Sequence, residues 1–359
     1  MNTQFLKPDE NGIKIASDIL RAGGLVAFPT ETVYGLGGNA LSPESSLKIY
    51  SAKGRPSDNP LIVHIADTAS VNEIASEIPE KATALMQAFW PGPLTIILPK
   101  KNIMPDETTG GLQTVAIRMP SHPAALSLIR ESGVLIAAPS ANTSGRPSPT
   151  TAQHVVDDMN GRIDAIIDGG AVGIGIESTI VDLTDSKPTI LRPGYITRSM
   201  LEAIIGEVVI DKALIEPDPN LRPKAPGMKY THYAPKGELT IIEKADSETD
   251  KNTAELNKTD RFVVADKINA LYNEKRAEGM KVVILSPEEH ISLYPREGVI
   301  AVGSIEKGET IASRLYAALR ECDIVGADLI YSESFNTGEL GGAIMNRLLK
   351  AAGHRVIKV

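Results

Sequence analysis

Short apolar runs alternate with amphipathic stretches along the first two hundred residues. Leu25–Phe28, Leu61–Ile65, Thr95–Leu98, Val115–Arg118, Val134–Ala138, Ala165–Ile167 and Thr179–Leu183 are each bounded by Gly, Pro or polar residues. Runs of this length and punctuation predict buried strands. Helices are predicted between them. Ala84, Leu85, Ala88 and Phe89 share one helical face that Pro91 ends, and Pro123 opens a second helix carrying Ala125, Leu128 and Ile129 up to Gly133. This mixture predicts an α/β chain folded around a twisted sheet.

The pattern breaks at 206–236. Five prolines (217, 219, 223, 226 and 235) fall in this stretch without apolar periodicity, which predicts an extended linker. The rhythm then restarts. Leu239–Ile242, Phe262–Val264, Val282–Leu285, Val299–Val302 and Ala327–Tyr331 predict strands. Ile311, Leu315, Ala318, Leu319 and Cys322 line one face of a helix over 310–322, and a last helix is expected over 343–352. The expectation is a smaller layered domain of about 120 residues. The charged stretch 246–260 is expected to be a solvated loop, and no internal repeat is present.

Composition narrows the options. Of 359 residues, 42% are hydrophobic and 23% charged, so a disordered or collagen-like chain is excluded. Aromatics are only 4%, so Val, Ile, Leu and Ala must fill the cores. The net charge is −8 and evenly spread: 21 basic against 25 acidic residues up to position 236, and 16 against 20 after it. No basic tail points to bulk nucleic-acid binding, although net charge does not describe a cleft. The single cysteine, Cys322, excludes an intramolecular disulfide and a cysteine-rich zinc site. No signal-like segment opens the chain and no run approaches a membrane span, so a cytoplasmic protein without a membrane or dedicated metal site is expected.

Candidate chemistry sits in a few segments. No phosphate-loop motif exists. Gly303–Thr310 has the position of one, but Glu309 replaces its lysine, so it reads as a plain loop and helix start. The glycines at 170, 173 and 175 fit no dinucleotide fingerprint. Phe28–Gly37 takes a strand directly into Pro, hydroxyls, Glu31, Tyr34 and two glycines, which suits either a small ligand or a capped turn. Lys53-Gly54-Arg55-Pro56 places two cations around a glycine, as a polyanion site or as a basic turn. His64 stands inside an apolar strand, as a core histidine or as a ligand contact. Ala137–Ser148 ends a strand in hydroxyls, an amide and Arg146. Arg118 and Arg192 each finish a strand, ready for a carboxylate, a phosphate or a surface ion pair.

Together these segments resemble the Sua5/YrdC/YciO family in its two-domain Sua5 form. The resemblance rests on PTETVYGLG at 29–37, KGRP at 53–56, the His64 strand, PSANTSGRPSP at 139–149, Glu177–Asp182, Leu191–Gly194 and Ala225–Pro235. The K-x-R…S-x-N signature is matched at Lys53, Arg55, Ser140 and Asn142. The resemblance implies a RibB-like, twisted-sheet catalytic domain over 10–205, a linker over 206–236 acting as a lid, and a smaller Rossmann-like domain over 237–359. It also implies synthesis of threonylcarbamoyl-adenylate from L-threonine, bicarbonate or CO2, and ATP, with Mg2+ arriving on the ATP. The product would feed a downstream transferase that makes N6-threonylcarbamoyladenosine at position 37 of tRNA.

Carried over by residue, the threonine pocket would be Thr32, His64, Arg118, Ala138 and Ser178. The ATP site would be Arg55, Asn59, Thr114, Ser140, Ser148 and Arg192, with Lys53 and Asn142 beside the phosphates and Tyr230 or Tyr233 on the nucleotide. Charge stabilisation would come from Lys53 and Arg55, with no acid–base residue assigned. Two alternatives stand beside this reading. A carbamoyl-phosphate enzyme on the same fold would need the zinc-binding cysteines that this chain lacks. A nucleotide- or double-stranded-RNA-binding module without turnover would use Lys53, Arg55, Arg118, Arg146 and Arg192 as a basic face, and a weak RNA contact stays open.

Overall fold

The computed structural model describes residues 2–214, 224–226, 232–245 and 258–359. They form two compact units: 1–144 with 148–230, and 145–147 with 231–359.

The first unit is built on one eleven-stranded mixed sheet. Its strands are β1 (Gln4–Leu6), β2 (Val26–Phe28), β3 (Gly35–Asn39), β4 (Ile62–His64), β5 (Leu94–Pro99), β6 (Thr114–Arg118), β7 (Ile136–Ala137), β8 (Ala165–Ile167), β9 (Thr179–Asp182), β10 (Thr189–Arg192) and β11 (Val209–Ile210). The order across the sheet is β1-β8-β2-β3-β7-β4-β6-β5-β9-β10-β11. Successive side chains on a strand point to opposite faces, and the cores follow that alternation. Ala27, Val63, Ile96, Ile117 and Val181 join the main core on one face. Their neighbours Val26 and Phe28 join a second cluster, and Ile62, Ile97, Ala116 and Ile180 a third. The same alternation puts His64, Arg118, Thr95, Thr114 and Ala138 on the face opposite the main core, in step with Ile62, Ala116, Ile97 and Ile136.

The helices expected before Pro91 and from Pro123 run over Glu80–Phe89 and Pro123–Ser132. The helix Pro43–Lys53 starts on Ser42, whose Oγ accepts from Ser45 N at 3.1 Å, and stops at Gly54 in the left-handed region (φ 62°). That leaves Lys53 in its last turn. Strand β3 was not legible as an apolar run because it reads Gly-Leu-Gly-Gly-Asn. Its glycines serve close packing: a Cβ at Gly37 would lie 2.7 Å from Ile136 Cγ2.

Other expectations are corrected. Residues 206–236 are not wholly linker. β11 pairs in parallel with β10 as the sheet's last strand, and a 3-10 turn follows at Lys212–Leu214. Further on, Ala225 is fully buried against Ile62, Ile97, Ala116, Ile180 and Leu191. Residues 215–223 and 227–231, including Tyr230, lie outside the described residues.

The second unit has a five-stranded sheet of β12 (Glu238–Glu243), β13 (Val282–Ser286), β14 (Val299–Ala301), β15 (Leu329–Glu333) and β16 (Val356–Lys358). Its order is β14-β13-β15-β12-β16, and every pairing is parallel. Phe262–Val264 is not a strand. It belongs to the helix Lys258–Ala277. Phe262 and Val263 are exposed, while Val264, Ala265, Ile268 and Tyr272 are buried. That spacing is helical, and it outweighs the local β-propensity. Of the charged stretch 246–260, residues 246–257 lie outside the described residues and 258–260 begin this helix. The helix expected over 310–322 runs from Gly308 to Val325 and buries the five residues read from its period.

Candidate active site

The turn after β2 is wired by hydroxyls. Thr30 Oγ1 donates to Val33 O at 2.6 Å, and Thr30 Oγ1 and Thr32 Oγ1 stand 2.9 Å apart. Since the Thr30 proton goes to Val33 O, Thr32 must be the donor between the two hydroxyls. Thr32 Oγ1 in turn accepts Arg118 Nη1 at 2.9 Å. Its one proton is therefore committed, and toward a ligand it can only accept. The backbone of this turn is held from the glycine-rich segment: Ile174 N donates to Glu31 O at 2.9 Å and Gly175 N to Thr32 O at 3.0 Å.

Arg118 ends β6 and is 4% exposed. Its Nη2 pairs with Glu31 Oε1 at 2.6 Å, and Glu31 Oε2 accepts Ser121 N at 3.1 Å. Its Nε is buried and has no partner among the described residues. A buried guanidinium requires a counter-charge, and Glu31 supplies it. Sequence reading placed Glu31 in the motif but gave it no role. The signal available was an arginine closing an apolar strand, which implies a nearby carboxylate.

His64 pairs in register with Arg118 across β4 and β6. Burial, and then the Arg118 charge, lower its pKa to about 3. The ring is therefore neutral at ordinary pH, with Nδ1 3.1 Å from Ile62 O and its plane edge-on to Phe28. Thr95 faces Arg118 on β5, and its hydroxyl lies 2.8 Å from Ser178 Oγ. Ser178 also accepts Arg192 Nη2 at 3.1 Å on Oγ and Arg192 Nε at 3.0 Å on its carbonyl. Ala138 N donates to Ile62 O at 2.9 Å. Thr32, His64, Arg118, Ala138 and Ser178 are thus joined through direct contacts or immediate strand neighbours. Thr95 is a linking residue that sequence reading missed.

The K-x-R…S-x-N residues divide differently from expectation. Lys53 is 2% exposed, and its Nζ donates to Ser140 O and Asn142 O, both at 2.5 Å. Burial pulls its pKa well below the usual lysine value. Lys53 is therefore a tether for the 140–142 loop rather than an open cation. Ser140 Oγ donates to Asn142 Oδ1 at 2.5 Å, and Asn142 Nδ2 donates to Thr143 O at 2.8 Å. Arg55 Nη2 reaches Asn59 O at 3.3 Å and Pro60 O at 3.1 Å. Asn59 is 1% exposed, and its Oδ1 has no partner among the described residues. Thr114 starts β6, and Ser148 Oγ donates to buried Glu177 Oε1 at 2.6 Å.

Two candidates fall in the second unit. Tyr233 is 6% exposed, with its ring centroid 5.1 Å from that of Tyr316. Arg146, read as part of a basic face, pairs with Asp323 at 2.8 Å.

Two family models cover the chain and meet near residue 195, ahead of the 230/231 division between the units. Residues 18–194 match the family model Sua5_yciO_yrdC, described as telomere recombination, and residues 196–353 match Sua5_C, described as the threonylcarbamoyl-AMP synthase C-terminal domain. The chain is 49% identical to the threonylcarbamoyl-AMP synthase of Bacillus subtilis (strain 168), covering 99% of this chain and 97% of the relative. It is 47% identical to that of Pyrococcus abyssi, covering 98% and 97%. The chain belongs to the threonylcarbamoyl-AMP synthase family. Among solved structures, Sua5 of P. abyssi complexed with L-threonine matches with a TM-score of 0.89 at 46% identity, covering 100% of this chain and 99% of that one. YciO of E. coli matches at a TM-score of 0.50 and 25% identity, covering 54% of this chain and 97% of that one. The B. subtilis and P. abyssi relatives therefore span both units.

Proposed function

We propose that this chain joins L-threonine, bicarbonate or CO2, and ATP into threonylcarbamoyl-AMP, releasing pyrophosphate. The observation that carries the reading is the Nε–H of Arg118. It is a buried donor without a partner among the described residues, on a guanidinium otherwise fixed, beside a neutral histidine. A donor of this kind suits a substrate carboxylate. The names of the full-length relatives, and the L-threonine in the P. abyssi complex, point to the same substrate.

In the reaction the threonine amine bonds to the carbon of CO2 and gives up a proton to water, forming a carbamate. A carbamate oxygen then bonds to the α-phosphorus of ATP, and the bond to the pyrophosphate oxygen breaks. Adenylation of this kind depends mainly on placing the reactants and neutralising charge. Arg118 takes the carboxylate. His64, neutral, accepts from the substrate hydroxyl or amine, and Thr32, Ala138 and Ser178 complete the threonine pocket. Asn59 Oδ1 is a buried acceptor suited to the amino group of adenine. Arg55, Thr114, Ser140, Ser148 and Arg192 contact the rest of ATP, and Lys53 and Asn142 hold the Ser140 loop in shape beside the phosphates. Mg2+ accompanies the ATP as part of the substrate.

The domain reading is part of the proposal: a RibB-like catalytic domain over 10–205 extended by β11, a lid in the rest of 206–236 and a Rossmann-like domain over 237–359. The burial of Ala225 on the face that carries His64 and Arg118 supports the lid. The all-parallel second sheet supports the last assignment. The adenylate would go to a transferase acting on adenosine 37 of tRNA in the cytoplasm. No helix among the described residues is long and apolar enough to cross a membrane. Direct RNA contact has less support, because Arg118, Arg146 and Arg192 already hold protein partners. The product itself tests the reading. With 13C-bicarbonate, mass spectrometry should find the label in threonylcarbamoyl-AMP. Formation of AMP alone would refute it.

A further inference from the structure

We infer that Glu31 is a positioning residue for substrate selection. It fixes the Arg118 guanidinium so that the Nε–H edge is the one offered to an incoming carboxylate. The inference rests on the proposed function and assigns a task to a residue which that reading leaves out.

An arginine side chain has many rotamers, and a buried guanidinium without a fixed counter-charge is both costly and free to turn. Here each terminal nitrogen has its own acceptor. Nη2 goes to Glu31 Oε1 at 2.6 Å and Nη1 to Thr32 Oγ1 at 2.9 Å. Neither acceptor can easily yield. Glu31 Oε2 is held by Ser121 N, and Thr32 Oγ1 is held through Thr30 to Val33 O. The backbone carbonyls of Glu31 and Thr32 are bonded in turn by Ile174 N and Gly175 N. The glycine-rich segment thereby acquires a use that no nucleotide fingerprint gave it. Among the described residues the Nε–H has no acceptor, and each terminal nitrogen keeps one further N–H.

Charge gives the arrangement a second consequence. Glu31 balances Arg118, so the pair carries no net charge before substrate binds. A neutral pair that offers N–H donors in a fixed direction favours a carboxylate of the right shape over a polyanion. Without Glu31 the same arginine would attract phosphate oxygens as strongly as carboxylates.

The test compares Glu31→Gln and Glu31→Asp with the wild-type chain, in steady-state turnover with folding checked by thermal unfolding. Gln keeps the size and removes the charge. Its KM for threonine should rise by about tenfold or more, the loss of one charge-assisted contact, while its KM for ATP stays within about twofold. Inorganic phosphate should compete with threonine in Glu31→Gln and not in wild type. Asp keeps the charge and should raise the threonine KM less than Gln does. A threonine KM unchanged in folded Glu31→Gln would overturn the inference, as would an ATP KM that rises in step. Should the Gln variant not fold, Glu31→Asp decides alone: a selective rise in threonine KM supports the role, and no rise or an equal rise for ATP refutes it. If wild type itself shows no threonine-dependent turnover, it is the proposed function that fails.

Discussion

Arg118 and Lys53 are both buried cations at the ends of regular elements, yet the residues around them give them different tasks. Arg118 keeps its Nε–H without a partner among the described residues, so its replacement should act on binding. Arg118→Lys removes the planar fork and the Nε–H together. It should raise the KM for threonine by about tenfold or more while leaving ATP nearly unchanged, as read from initial rates. Lys53 gives its amine to two carbonyls, so its replacement should act on stability. Lys53→Met takes the lysine donor away from both carbonyls, at a cost of roughly 2–5 kcal/mol in chemical unfolding. These fates were only half legible in the sequence. A cation ending an element is visible in the chain. Whether its partner is a ligand, a carboxylate or a carbonyl is set by contacts such as Arg118 to Glu31, 87 positions apart.

At the scale of elements, the sheet's two-residue period explains where the site lies. His64 and Arg118 share a sheet face because each stands two places after a residue of the same apolar cluster, Ile62 and Ala116. The runs of β4, β5, β6, β8 and β9 were readable because they are continuously apolar. β3 was not, because its glycines matter through close packing against Ile136 rather than through hydrophobicity. β11 hid inside a proline-rich stretch, and Phe262–Val264 was misread because three residues are too few to separate the two periods. The linker also carries an element-scale prediction. Ala225→Asp places a charge among Ile62, Ile97 and Ala116. It should release the 224–226 anchor, seen as faster limited proteolysis within 206–236 and a lower kcat, with the cooperative unfolding of the sheet retained.

Across the molecule, each unit holds a buried histidine, and the two are shifted in opposite directions. His64 is lowered from 6.5 to about 3 by burial and the Arg118 charge. The unfolded chain therefore binds a proton first as pH falls, and the first unit loses stability between about pH 6.5 and 3. His290 is raised by its hydrogen bond to Glu333, with Nδ1 2.8 Å from Oε2. Its stabilisation is complete below the unfolded value of 6.5 and fades as pH rises through the raised folded value. Urea unfolding of wild type against His64→Gln and His290→Asn, run across pH, should show the wild-type advantage shrinking toward acid for the first and toward alkali for the second.

Pyrophosphate release tests the account as a whole most directly. Wild-type chain with Mg-ATP should release pyrophosphate only when L-threonine and bicarbonate are both present, and omitting either should return the rate to background. Release that continues without threonine, or with neither co-substrate, would contradict the assignment of this site to threonylcarbamoyl-AMP synthesis.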